Sequence, residues 1–160
     1  MDWVTYNSQS GFAPAAAPGH PPDSAKLGSY DAIRVYLWAG LTDAQTPGSR
    51  AVLVAVPGMA SYLDQHKFPP EQVDDKGDIV GADSPVGFSA ATIPYLGALG
   101  KTAELDKQAA RLMAEMDPVT KLYGHPPAYY DQNLVMFAKA WSEHRFRFGR
   151  DGELKVTWKK

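Results

Sequence analysis

The sequence contains no cysteine, which excludes disulfides and thiol chemistry without identifying a compartment. No apolar run approaches membrane-spanning length, and the start, Met1-Asp-Trp-Val4, has no signal-peptide pattern. Neither sign of charge dominates. Sixteen Lys and Arg against eighteen Asp and Glu give a net charge of −2, with the basic residues dispersed, so no nucleic-acid footprint is expected. The four histidines, His20, His66, His125 and His144, lack metal-ligand spacing. There is no phosphate loop or nucleophile elbow. The expectation is therefore a protein without metal or cofactor, touching neither membrane nor nucleic acid.

What is present is enough for one packed domain. The chain has 160 residues, 44% hydrophobic and 21% charged, a balance that favours a core over disorder. Four Trp, eight Tyr and six Phe stand out. Aromatic faces suit sugar rings, but ordinary cores use them too, and core is the default reading.

The stretch Gly28–Leu41 organises the rest. It reads as a helix with Ser29 as N-cap and Gly40 near its end. Asp31 falls in the first turn, and Asp31, Arg34 and Trp38 share one face at helical spacing. The remaining residues are almost all apolar, which predicts burial on most sides. A carboxylate and a guanidinium at the end of such a helix form either a structural ion pair or part of a site.

Before it, Trp3–Tyr6 reads as a short strand, and residues 10–23, rich in Pro, Ala and Gly, read as a surface loop. After it, Asp43–Lys67 reads as helix broken at Pro57-Gly58. Residues 68–78 form a polar turn whose Asp74, Asp75 and Asp78 lack the pattern of a calcium loop, so a solvated loop is expected. Phe88–Leu99 is an apolar helix that Pro94 should kink or end. Thr102–Met116 is amphipathic, with Leu105, Ala109, Leu112 and Met116 as its stripe and Gln108 and Arg111 away from it. Tyr129–Glu143 is again apolar. Residues 145–158 read as a β-hairpin around Asp151-Gly152, expected to pair with Trp3–Tyr6.

The helices starting near Ser29, Phe88 and Tyr129 are apolar over most of their surface, and the segments between them are amphipathic. This alternation suggests two layers, enclosed helices inside half-exposed ones. Gly28–Leu41 resembles the Ser-Tyr-Asp-Ala-Ile-Arg-Val segment of glycoside hydrolase family 8. The resemblance continues through Gly87-Phe-Ser-Ala-Ala91, Tyr129-Tyr130, His144-Arg-Phe-Arg-Phe148 and Gly152-Glu-Leu154. It is nearest the endo-1,4-β-glucanases of bacterial cellulose-synthesis operons. It implies an all-α fold, a partial (α/α)6 barrel with a small antiparallel β element. Residues 1–160 would be the C-terminal part of one catalytic domain, with strand and loop over 1–27, barrel helices over 28–144 and the hairpin over 145–158. The substrate cleft would cross the N-terminal ends of the inner helices.

The same resemblance implies an inverting endoglucanase, with Asp31 as general base and Arg34, Tyr30, Tyr130 and Tyr129 as substrate-binding residues. Both a helix N-terminus and a guanidinium attract a carboxylate's charge, which suits a base. Trp38 is read as core. The family's general-acid glutamate has no counterpart here, since Glu71, Glu104, Glu115, Glu143 and Glu153 lie in loops, outer positions or the C-terminal end. The chain is therefore expected to be inactive alone. The implied partners are β-1,4-glucan chains and the cellulose synthase or export machinery, and the implied location is periplasmic or extracellular. A non-catalytic glucan-binding remnant is the alternative.

Overall fold

The computed structural model describes residues 1–158. Strands β1 (Val4–Asn7) and β2 (Gly11–Pro14) open the chain, followed by a 3-10 turn at Pro22–Lys26 and the two-residue strand β3 (Leu27–Gly28). Helices α1 (Ile33–Leu41), α2 (Ser49–Ala55) and α3 (Gly58–Gln65) come next, then strands β4 (Gln72–Asp74) and β5 (Ile79–Gly81). Helices α4 (Val86–Ala98), α5 (Thr102–Ala114) and α6 (Tyr129–Ser142) follow, and the β6 (Phe146–Phe148) and β7 (Leu154–Val156) hairpin closes it. The protein is mostly helical, with small antiparallel sheets.

The core is built around α4, which packs on α1, α6 and α5. Every residue from Val86 to Leu96 is buried. Of the two outcomes expected at Pro94, a kink or an end, the end does not occur: the helix runs on to Ala98. Helix α1 approaches it closely at Gly40, where a Cβ would lie 2.1 Å from the Tyr95 nitrogen and 2.2 Å from the Pro94 carbonyl carbon. Gly40 is thus not a helix cap. The helix ends at Leu41 with Thr42 extended, and Gly40 is the point where the two backbones touch.

The enclosed-helix expectation holds for α4 and only in part for its neighbours. Helix α1 buries Ile33, Leu37, Ala39 and Leu41, but Val35 and Trp38 are exposed. Trp38, read as core, is 45% exposed and rests its ring on Phe137 and Phe148. Helix α6 buries Leu134, Val135 and Ala138 and exposes Met136. The break at Pro57-Gly58 is a true boundary between α2 and α3.

In α5 Leu105, Ala109 and Leu112 face the core as expected, and Met116, past the helix end at Ala114, packs on it too. Gln108, however, is fully buried, donating to the Lys67 carbonyl at 3.0 Å. Arg111 turns inward to the Ser84 carbonyl at 2.7 Å and the Ser89 hydroxyl at 3.1 Å, its guanidinium over the Phe68 ring. Both make polar bonds to elements that a helical wheel does not contain.

The expected pairing of Trp3–Tyr6 with the C-terminal hairpin does not occur. Among the described residues β6 pairs with β7 alone, and β1 pairs with β2, inside the stretch read as loop. The local partner wins because its loop is only three residues long. Asn7 Oδ1 accepts from the Gln9 amide at 2.8 Å, Gly11 takes the left-handed φ of 77° the turn requires, and Tyr6 packs across the pair on Phe12. Asn7-Ser-Gln-Ser-Gly11 was the legible hairpin signal.

The third sheet, in the order β3-β4-β5, lies against the start of α1. Its acidic turn has a local explanation. One Asp74 carboxylate oxygen accepts from the Lys76 and Asp78 amides, each at 2.9 Å, and these bonds hold its carboxyl below the usual range.

Candidate active site

The N-terminal ends of α1, α4 and α6 come together, and each contributes an aromatic ring. Tyr30, in the turn before α1, packs edge-on against Phe88 of α4 at 5.1 Å and against Tyr130 of α6 at 5.6 Å. The Tyr130 hydroxyl donates to the Tyr30 carbonyl, and the Tyr30 hydroxyl donates to Glu71 Oε1 at 3.2 Å. Burial pushes both phenols up, with Glu71 adding to the effect on Tyr30, so both stay neutral donors through neutral pH.

Asp31 and Arg34 lie beside this cluster. Arg34 Nη2 donates to Asp31 Oδ1 at 2.5 Å, with both side chains half-exposed. An ion pair this open contributes less than about 1 kcal/mol. Stability is therefore a weak account of it; Arg34 reaches one carboxylate oxygen with one donor, and the other oxygen has no side-chain partner from Arg34. Tyr129 stands apart, 85% exposed, while its neighbour Tyr130 joins the cluster. Of the five residues singled out, Tyr30, Asp31, Arg34 and Tyr130 meet.

The turn carrying Tyr30 and Asp31 is not capped as its sequence suggests. Ser29 Oγ donates away from the helix, to the Glu71 carbonyl at 2.7 Å. The free amides of Ser29, Asp31 and Ala32 donate instead to one oxygen of Asp2, at 2.7, 3.1 and 2.7 Å. A cavity of about 300 Å³ opens between this turn, α3 and the β3-β4-β5 sheet, with Tyr36, Tyr62, Glu71 and Phe88 in its wall. Asp31 does not line it.

Asp131, another residue that no motif flagged, is buried in the first turn of α6. Its Oδ1 accepts from the Gly87 amide at 3.1 Å, tying the start of α4 to the start of α6. A Cβ on Gly87 would lie 2.5 Å from that oxygen, so glycine lets the two ends meet. Burial pushes the Asp131 carboxyl above the usual carboxylate range, with the Gly87 bond opposing. The folded state therefore binds this proton more tightly than the unfolded chain. The contribution to stability is complete below the ordinary carboxylate value and is lost as pH rises through the raised one. Asp131→Asn keeps an acceptor and never ionises. Its melting temperature relative to wild type should rise as pH is taken from about 3 to about 7, and scanning calorimetry at several pH values checks this.

The pattern of glycosyl hydrolases family 8 matches residues 1–144. The chain belongs to glycosyl hydrolase family 8. It is 38% identical over 158 residues to an endoglucanase of Xanthomonas axonopodis pv. citri (strain 306), covering 99% of this chain and 38% of that protein. It is 34% identical over 157 residues to an endoglucanase of Escherichia coli (strain K12), again covering 38% of the relative. The crystal structure of endo-1,4-D-glucanase from Vibrio fischeri ES114 superposes with a TM-score of 0.79 at 25% identity, over 98% of this chain and 42% of that one. The chain thus spans about two-fifths of the length of these family 8 proteins.

Proposed function

We propose that this chain carries the base side of an endo-1,4-β-glucanase site that hydrolyses internal bonds of cellulose with inversion. The observation that carries the reading is the Asp31–Arg34 pair standing open beside the Tyr30–Tyr130 cluster, where three helix ends converge. In an inverting reaction one carboxylate takes a proton from water as that water attacks the anomeric carbon. A carboxylic acid, roughly 6.5–9.5 Å away, protonates the departing oxygen. Asp31 fits the first task. Arg34 holds one of its oxygens and leaves the other for water, and the tyrosines offer ring edges and neutral hydroxyls to a glucan chain.

The second carboxyl group is the difficulty. Asp2 is occupied by three amides, Glu71 accepts from Tyr30, and Asp131 is sealed behind the helix ends. We infer that the acid comes from outside these residues and that the 160-residue chain alone does not cleave glucan. The convergence of α1, α4 and α6 supports reading them as inner helices of a partial (α/α)6 barrel, with α5 outside. Family resemblance further supports action in the periplasm or outside the cell, beside a cellulose-synthesis system. The test is twofold on the chain itself. Cellopentaose should perturb the NMR signals of Arg34, Tyr30 and Tyr130, and carboxymethylcellulose should release no reducing ends. Absence of any perturbation would overturn the glucan reading. A remnant that only binds glucan shares both results.

A further inference from the structure

We propose that Asp2 is a positioning residue for the site, setting the turn that presents Tyr30 and Asp31; the proposal rests on the reading of that turn as a glucanase site. Residues 29–32 are poorly equipped to hold themselves. Their natural cap, Ser29, donates to the Glu71 carbonyl and leaves the amides at the start of α1 unpaired by local sequence. One oxygen of Asp2 gathers three of them, including the amide of Asp31 itself. A charged acceptor facing a helix N-terminus suits both the free N–H groups and the dipole.

Asp2 is in turn fixed by its own backbone, whose amide donates to the Leu27 carbonyl at 2.9 Å. The chain around Asp2 therefore sets where Asp31 lies. Glu71 restrains the same turn from the other side through the Tyr30 hydroxyl and the Ser29 Oγ. The packing of α1 on α4 uses Ile33, Leu37, Gly40 and Leu41, all beyond this turn. Loss of Asp2 should thus release the turn and leave the core standing. A misplacement of about 1 Å can cost 10²-fold in a positioned reaction, so the consequence for chemistry would be large.

Hydrogen exchange and NMR on the 160-residue chain test this. In Asp2→Ala the amides of Ser29, Asp31 and Ala32 should exchange at least about tenfold faster, while those of Ala90 and Val135 in the core hold their protection. The nuclear Overhauser contact between the Tyr30 and Tyr130 rings should weaken with them. General destabilisation would instead raise exchange in the core as well. Asp2→Asn, which keeps an oxygen in place without the charge, should restore most of the protection. It should also move the three amide proton signals upfield with the rest of the spectrum unchanged, a result that stands even if Asp2→Ala does not fold. Wild-type protection at residues 29–32 in Asp2→Ala, or unmoved amide signals in Asp2→Asn, would overturn the proposal. Cellopentaose added to the wild-type chain separates the two claims. Silence there counts against the glucanase reading, while the exchange data still decide the role of Asp2.

Discussion

In a full-length family 8 endoglucanase, the change equivalent to Asp31→Asn should lower kcat at least about 10²-fold and leave KM nearly unchanged, because a general base acts in the transition state and not in binding. Asn keeps the size and much of the hydrogen bonding of Asp and removes only the basicity. The rival role for an aspartate here is helix capping, which predicts lost stability and intact turnover. The geometry already weakens that rival. The Asp31 carboxylate receives its bond from Arg34, and the helix amides are taken by Asp2. Arg34→Lys should also reduce kcat, by less, since a point charge cannot reproduce the planar fork. A site that only binds glucan would lose affinity with Arg34→Lys and be indifferent to Asp31→Asn. Steady-state kinetics on a soluble cellulose derivative, run beside thermal unfolding of each variant, reads all of these outcomes.

Gly40→Ala should be the most damaging single methyl in the fold. Helix propensity alone would favour alanine by about 1 kcal/mol. Against that, the added carbon would meet the Tyr95 nitrogen at 2.1 Å and the Pro94 carbonyl carbon at 2.2 Å, and these are backbone atoms that cannot swing aside. Helices α1 and α4 would have to separate, loosening Leu37 and Tyr95 in the centre of the core. Overpacking of this kind costs typically 1–3 kcal/mol and sometimes more. Here it wins, and a net loss of about 2 kcal/mol or more should lower Tm by roughly 4–8 °C for a chain of this size. Gly58→Ala is the control. Nothing lies within 4 Å of its Cβ position, so its Tm should stay level or rise slightly. Circular dichroism melts of the two variants decide the matter, and a Gly40→Ala protein melting with wild type would refute the close approach.

The parts of the fold that sequence reveals are those whose cause is local. The amphipathic stripe of α5, the Pro57-Gly58 boundary and the turn at Asp151-Gly152 each follow from neighbours in the chain, and each lies where expected. What stayed hidden depends on partners far away in sequence. Gly40 looks like a helix end until Pro94 and Tyr95 are set against it. Gln108 and Arg111 look like solvent-facing residues until Lys67, Ser84 and Ser89 reach them. The one local signal passed over was Asn7 to Gly11, where the Pro- and Ala-rich residues that follow disguised a hairpin.

The site divides in the same way. Tyr30, Asp31 and Arg34 are legible because a short motif holds them in one turn of chain, and Tyr130 because its neighbours extend the resemblance. Asp2 and Asp131 carry no motif. Each is a lone carboxylate whose meaning lies in the amides of another element, Ser29 to Ala32 for one and Gly87 for the other. Glu71 was passed over as a loop residue, and it is one, but its loop docks on the site through Tyr30 and Ser29.

The central claim is that Asp31 activates water, and replacement of the missing base from solution tests it most directly. In a full-length family 8 endoglucanase, the change equivalent to Asp31→Gly opens a space where the carboxylate stood. Added azide should then restore product formation and yield a glycosyl azide of α configuration, since the anion attacks from the face that water uses in an inverting reaction. A folded Asp31→Gly enzyme that keeps wild-type kcat without azide would contradict the account.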